Sequence, residues 1–429
     1  MNKYAFINGR VLDGSEDMFA AEGLMILVEG ENILSVEAYD DAKLEGFRVI
    51  DLAGRYIMPG LVNLHVHIPA DGNPKEKASD AKKKVRLITS NPITRALGKK
   101  LCAGYAKTQL MSGTTTIRAV GGILDWDAAV RDRINAGKAD GPRILAANMA
   151  VSVPGGHIAG SLAYEATSAE EAAGYVRKIY ETKPDLIKLM ITGGVLDATV
   201  KGEPGVLKMP EEYVAAACEE AHRLGLKVAA HVESPEGVKV ALRSGVDTIE
   251  HGAKADGEML SLFKEHNAAL VATLSPALPF ALFDRSVSNA TELSQYNGTV
   301  VFEGIIDCAK KCLEAGVSVG LGTDTGCDFV THYNTWMELQ LFHKYCGVSN
   351  AFALYTGTKK NAEIAGIGDV TGSIEPGKCA DMIVTAKNPL DDLSALADVE
   401  LVMARGRLYE HPKVKKIEKV EREMGRFVR

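Results

Sequence analysis

The chain of 429 residues contains no apolar run of about 18 residues, the length a membrane-spanning helix requires. Its start, Met1-Asn2-Lys3-Tyr4-Ala5-Phe6-Ile7-Asn8-Gly9, lacks the apolar stretch of a secretory leader, which points to the cytoplasm. Basic excess is missing too. The 49 Lys and Arg against 56 Asp and Glu leave a net charge of −7, which argues against a general nucleic-acid binder. Cysteine is sparse: seven residues (102, 218, 308, 312, 327, 346 and 379), odd in number and scattered. That pattern fits reduced thiols and excludes a disulfide framework. Cys308 and Cys312 stand four apart on an expected helix, where two packed thiols are a simpler reading than a metal or redox pair. What is present is ordinary. Hydrophobic residues make up 46% and charged residues 24%, and the length suffices for a sizeable core.

Both ends of the chain read as short strands. Tyr4–Asn8, Met25–Val28, Ile33–Val36 and Val49–Leu52 are separated by Asp13-Gly14, Glu29-Gly30 and Gly54. Near the other end, the turn Ser373-Ile374-Glu375-Pro376-Gly377-Lys378 precedes the strand Asp381-Met382-Ile383-Val384-Thr385, and Leu401–Arg407 gives another strand and turn. Residues 1–58 and 368–429 are therefore expected to meet in one small β-sandwich domain.

Between them the period changes. Eight short apolar runs alternate with amphipathic helices: Leu61–His67, Thr114–Ala119, Arg143–Met149, Leu186–Ile191, Leu226–His231, Val246–Glu250, Ala269–Thr273 and Val317–Gly322. Helical stretches such as Glu211–Leu224 and Pro235–Ser244 stop at Gly225 and Gly245, and Gly316 closes another. The expected fold is α/β, a (β/α)8 TIM barrel over residues 59–367. Two stretches break the rhythm. Pro69–Asn91 is long and basic, with Lys75, Lys77, Lys82, Lys83, Lys84 and Arg86, and is either an active-site lid or a solvated loop. The tail Val414–Arg429 has mixed charge at helical spacing and is expected to be a surface helix.

Chemistry in such a barrel sits at the C-terminal ends of the strands. The first run ends in His65 and His67, two residues apart and so on one side of a strand. The fourth contains Lys188, the fifth ends in His231, His251 follows the sixth, and Asp324 follows the eighth. Each alone is compatible with a satisfied core side chain. Together, four imidazoles and a carboxylate are the donor set of a metal site. Lys188 lies among apolar residues, where burial pushes an amine toward neutrality. A neutral amine beside a dication can add CO₂ to give a carbamate able to bridge two metals. The competing reading is a lysine that snorkels to the strand end.

With these residues in place, the chain resembles the amidohydrolase superfamily, nearest to its prolidase-like and imidazolonepropionase-related members. The resemblance covers nearly the whole chain. It rests on Met58-Pro59-Gly60-Leu61, Gly113-Thr114-Thr115-Thr116-Ile117-Arg118, Ile187-Lys188-Leu189-Met190, Ile249-Glu250-His251-Gly252, Gly322-Thr323-Asp324-Thr325-Gly326 and Glu375-Pro376-Gly377-Lys378-Cys379-Ala380-Asp381. It implies two divalent ions, usually zinc. His65, His67 and Asp324 would hold one, His231 and His251 the other, and carboxylated Lys188 would bridge both. Imidazolonepropionase normally uses one metal and lacks the lysine, so Lys188 favours the binuclear branch.

The implied chemistry is hydrolysis of an amide C–N bond. A hydroxide bridging two cations would attack the carbonyl, and Asp324 would move the proton to the leaving nitrogen. Substrate readers are expected at three positions. Arg118 either pairs with a substrate carboxylate or forms an ion pair within the barrel mouth. The resemblance has aspartate where Ala119 stands, which leaves Arg118 freer to meet substrate. His157, in Val153-Pro154-Gly155-Gly156-His157, is expected to touch substrate or intermediate. Glu233 replaces a tyrosine found in dipeptide-cleaving relatives, and its charge disfavours a carboxylate there. Cys327 and His332 either line the pocket or pack, while His222, His266, His343 and His411 do not look like ligands.

Two other readings stand beside an N-acyl amino acid or dipeptide-like substrate. One is hydrolysis of a cyclic amide or deamination of a heterocycle, separable by ammonia rather than amine release. The other is a scaffold protein on the same fold, which metal analysis would separate. The expected partner is a small molecule, with neither nucleic acid nor membrane, and the sequence leaves homo-oligomer formation open.

Overall fold

Strands from the two chain ends interleave. One sheet has four strands in the order Asn32–Ala38, Leu24–Glu29, Lys3–Ile7, Arg48–Asp51. A second has five: Arg407–Glu410, Val399–Ala404, Met382–Thr385, Tyr56–Pro59, Arg10–Val11. Ile57 sits opposite Val384, so an early and a late strand are direct neighbours. The two-residue period explains the shared core. Phe6, Ile26, Val28, Met382, Val384 and Met403 all fall on the inward sides and bury together. The computed structural model describes residues 2–75 and 80–428.

The segment between the chain-end strands is α/β, with two parallel sheets. Leu61–Val66, Thr114–Ala119 and Arg143–Ala146 form one. Ala163–Glu165, Ala150–Ser152, Leu186–Met190, Lys227–Val232, Thr248–His251, Ala269–Ala272 and Val319–Leu321 form the other. All eight expected runs carry strand. The third is broken: pairing stops at Ala146, Asn148 takes a left-handed φ of 61°, and the strand resumes at Ala150. Backbone hydrogen bonds link the two sheets at both seams: Asp185 N–H to the Ala146 carbonyl (2.7 Å) at one, and Asp324 N–H to the His65 carbonyl (2.8 Å) and His67 N–H to the Thr325 carbonyl (2.9 Å) at the other. At the second seam Gly322 is required, because a Cβ there would lie 2.3 Å from that of His65.

Helices fill the crossovers, and their caps set where each strand end opens. Ser234 accepts from the Gly237 N–H at the start of Pro235–Arg243, and Asp256 accepts from the Met259 N–H at the start of Gly257–Glu265. The strands are largely apolar because they are covered on both faces, and most of their polar side chains are buried. Ile187, Leu189, Val228, Ala230 and Ile249 pack against Val214, Ala217, Val238 and Leu242 of the helices.

The basic segment after the first strand is partly helical, Ala81–Ile88, and Lys77 falls outside the described residues. Its beginning is pinned. His332 Nε2 donates to the Ala70 carbonyl (2.7 Å) and Phe329 N–H to that of Gly72 (2.9 Å). The tail helix Glu418–Val428 is less superficial than its charge suggests. Val420, Met424 and Val428 are buried in one cluster with Trp336 and Leu339. All seven cysteines are free. Among the described residues, no helix is long and apolar enough to cross a membrane.

Candidate metal centre

His65 is the penultimate residue of the strand Leu61–Val66, and His67 lies one residue beyond its end. Their Nε2 atoms approach the same oxygen, Asp324 Oδ1, at 3.4 and 3.2 Å. Asp324 is brought there by its own backbone, at φ 55° and tied to the first strand through the His65 carbonyl. His251, at φ 71°, turns inward from the sixth run, and its ring lies 4.9 Å from that of His65 and 4.7 Å from that of His231. The structure thus brings all four histidines and Asp324 together.

The second nitrogen of each ring sets its tautomer. His65 Nδ1 donates to Glu250 Oε2 (2.8 Å), His67 Nδ1 to the Gly121 carbonyl (2.8 Å) and His231 Nε2 to the Gly193 carbonyl (3.1 Å). His251 Nδ1 is 2.7 Å from Thr273 Oγ1. Acceptors behind the rings leave lone pairs on the inner nitrogens, the outer-sphere arrangement that orients metal-binding imidazoles. Two such lone pairs pointing at one carboxylate oxygen repel unless a cation or proton lies between them, so the donors fit a metal.

Burial tunes the titration of every group. It pushes the His65 imidazole down to about 4, with the Lys188 charge adding to the effect. His231 and His251 are also driven well below their ordinary value, first by burial. Burial would lower His67 too, but its hydrogen bond to Asp324 wins and raises it. Burial opposes the ionised form of Asp324, yet His65 and His67 hold its carboxyl well below the usual range.

Lys188 does not snorkel. It is fully buried, and its Nζ has no hydrogen-bond partner. Burial lowers the amine to about 8, against the pull of Glu250 and Asp324. An amine this enclosed and unpaired is costly as an ammonium.

Arg118 takes the ion-pair alternative. Its guanidinium is buried and donates to the Leu64 carbonyl (2.7 Å), Thr248 Oγ1 (3.1 Å) and Glu250 Oε1 (2.6 Å). Ala119 does not leave it unpartnered, because Glu250 arrives from a distant strand. Glu250 is the residue that sequence reasoning missed. It holds Arg118 on one oxygen and His65 on the other, and the Arg118 charge with the His65 hydrogen bond keeps its carboxyl well below the usual range despite burial. A carboxylate inside an apolar strand was the available signal, since such a group needs a partner. We predict that Glu250→Ala, which leaves Arg118 buried and uncompensated, costs about 3–5 kcal/mol of stability. Denaturant unfolding of the variant measures this, and an unchanged midpoint would refute it.

Two further expected readers lie at the centre's edge. His157 stacks on His231 with ring centroids 4.1 Å apart, and its Nδ1 donates to Asp197. Asp197, on the loop after the fourth strand, was also missed. Its carboxyl is held low because His157 and the Gly194 N–H outweigh its burial. Glu233 has a buried Oε2 without a partner, and burial raises its carboxyl to about 8. One possible ligand atom from each of His231, Glu233 and His251 lies within 4.8 Å of the others, and His65, His251 and Asp324 form a second such group. Cys327 Sγ lies 3.5 Å from Asp324 Oδ2, whereas His332 is a packing residue, stacked on Tyr105 at 5.0 Å.

Comparison with known proteins adds a family context. The amidohydrolase family model matches residues 56–409. A solved structure of a prolidase-like protein from Bifidobacterium longum is 34% identical, with a TM-score of 0.88 over 100% of this chain and 99% of that one. The structure of a Xaa-Pro dipeptidase with methionine bound in its active site is 30% identical, with a TM-score of 0.83 over 95% of this chain and all of that one. Among curated proteins, ochratoxinase of Aspergillus niger is 26% identical over 389 residues, 83% of this chain and 76% of the relative.

Proposed function

We propose, from the premise that this chain belongs to the amidohydrolase family, that it is a binuclear-metal hydrolase cleaving the amide C–N bond of an N-acyl amino acid or dipeptide-like small molecule. The observation that carries this reading is Lys188, a fully buried and partnerless amine amid four histidines and Asp324. As a free amine it can form an N–C bond to CO₂ and release one proton, giving an anionic carbamate in place of a buried cation. His65, His67 and Asp324 would hold one divalent ion, His231 and His251 the other, and the Lys188 carbamate would join them. Imidazole and carboxylate donors suit zinc. Bound there, the ions would supply an acidified water and polarisation of the scissile carbonyl.

The chain's own residues supply the rest. Asp324 accepts the proton of the attacking water and returns it to the departing nitrogen, so the products are a carboxylate and an amine. Arg118 and Glu250 act as positioning residues, since Glu250 holds the His65 ring and Arg118 holds Glu250. Asp197 fixes the Nδ1 proton of His157 and leaves Nε2 to meet the substrate carbonyl. We predict that His157→Ala lowers turnover about 10²-fold while metal content stays unchanged, as for loss of one transition-state donor. Unchanged kinetics, or loss of metal, would reject that role.

The fold assigned under this reading is a (β/α)8 barrel over residues 59–367. The backbone links at both seams between the parallel sheets support closure, and the interleaved chain ends support a small β-sandwich domain from residues 1–58 and 368–429. The tail helix then reaches back onto the barrel. The test is a panel of N-acyl amino acids, dipeptides and cyclic amides offered to zinc-loaded protein. Release of amine and carboxylate supports linear-amide hydrolysis. Ammonia release would replace it with deamination, and no turnover of any amide would overturn it.

A further inference from the structure

We infer that Glu233 is itself a ligand of the second ion and completes a His231–Glu233–His251 donor set. This rests on the metal-centre reading above. Period-two geometry places His231 and Glu233 on the same side at the end of one strand. Their donor atoms and one of His251 lie within 4.8 Å of one another, a spacing that modest side-chain movement closes onto one ion. Glu233 Oε2 is buried without a hydrogen-bond partner, an expensive state for a carboxylate unless it has a charged partner to meet.

The backbone is built to hold the group there. Glu233 N–H donates to Thr192 Oγ1 at 3.0 Å, and Gly205 packs so closely on the Glu233 carbonyl that a Cβ would come within 2.2 Å of its oxygen. Two imidazoles and one carboxylate are a ligand set that holds catalytic zinc elsewhere. The role replaces that of a substrate reader. A carboxylate spent on the ion has no lone charge left with which to select or repel the substrate.

The experiment is cobalt titration of metal-free full-length protein, read by visible absorption and by calorimetry. Wild type should take up two Co²⁺. Glu233→Gln should weaken the second binding step by about 10–100-fold, at least the cost of losing an outer-sphere partner, and should change the cobalt absorption bands. The first step should stay as in wild type. Glu233→Asp should recover part of the affinity, and circular dichroism should show each variant folded. Asp197→Asn, which removes a neighbouring charge but no ligand, should leave the second step near wild type. Wild-type affinity and spectrum in Glu233→Gln would overturn the inference, and so would an equal loss in Asp197→Asn. A raised KM for cationic substrates with intact cobalt binding would overturn it in favour of a substrate contact. Wild type that binds no cobalt would instead bring down the metal-centre reading, and this inference with it.

Discussion

Asparagine in place of Asp324 is expected to lower kcat about 10²–10⁴-fold, the contribution of a positioned proton-transfer group. The substitution isolates the proton step. Asparagine has nearly the same shape, and it is among the few residues that tolerate the left-handed backbone found here at φ 55°. The hydrogen bond from the position 324 N–H to the His65 carbonyl is a backbone contact and survives. The amide oxygen can still face His65 and His67, so folding and part of the metal affinity should persist. An amide cannot take a proton from water near neutral pH. Steady-state kinetics at saturating zinc is the measurement, and a variant with near wild-type turnover would remove Asp324 from the proton path.

Lys188→Ala is expected to lose metal and activity together. The variant has no amine to carboxylate, so the two sites lose their shared anion. Charge stabilisation by a bound metal is worth several kcal/mol, and a loss of about 4 kcal/mol is roughly 10³-fold in rate. The truncation also opens space where the buried side chain lay. A short carboxylic acid such as acetate or propionate can enter that space and supply two oxygens. Rescue of both metal content and turnover by such acids is therefore expected, and it would not follow if Lys188 were only a core side chain. Labelled bicarbonate offers a direct check, because wild type should show a carbamate carbon signal that Lys188→Ala lacks. Full activity and full metal content in the variant would contradict the proposal.

The centre's inner residues were legible because each announces itself locally. A polar residue terminates an apolar run, and parallel strands present their ends together. His65, His67, His231, His251 and Asp324 follow that rule, and Lys188 stands out as a charge inside an apolar strand. The residues that support them do not. Glu250 meets Arg118 across 132 positions and His65 across 185, distances over which one sequence carries no pairing signal. That is why the sequence left Arg118 open between a substrate carboxylate and an ion pair within the barrel mouth. Asp197 sits on a loop, where no period marks a partner. The break in the third strand depends on Asn148, whose side chain is drawn off to the Thr182 hydroxyl at 2.8 Å. The buried face of the tail helix was readable after all. Val420, Met424 and Val428 stand four apart, the spacing of an apolar stripe, beneath a charge pattern that suggested solvent.

Metal stoichiometry of the purified chain, reconstituted with zinc and dialysed, tests the central claim most directly. The donor geometry of His65, His67, Lys188, His231, His251 and Asp324 predicts two ions per chain by elemental analysis. One ion, or none, would contradict it.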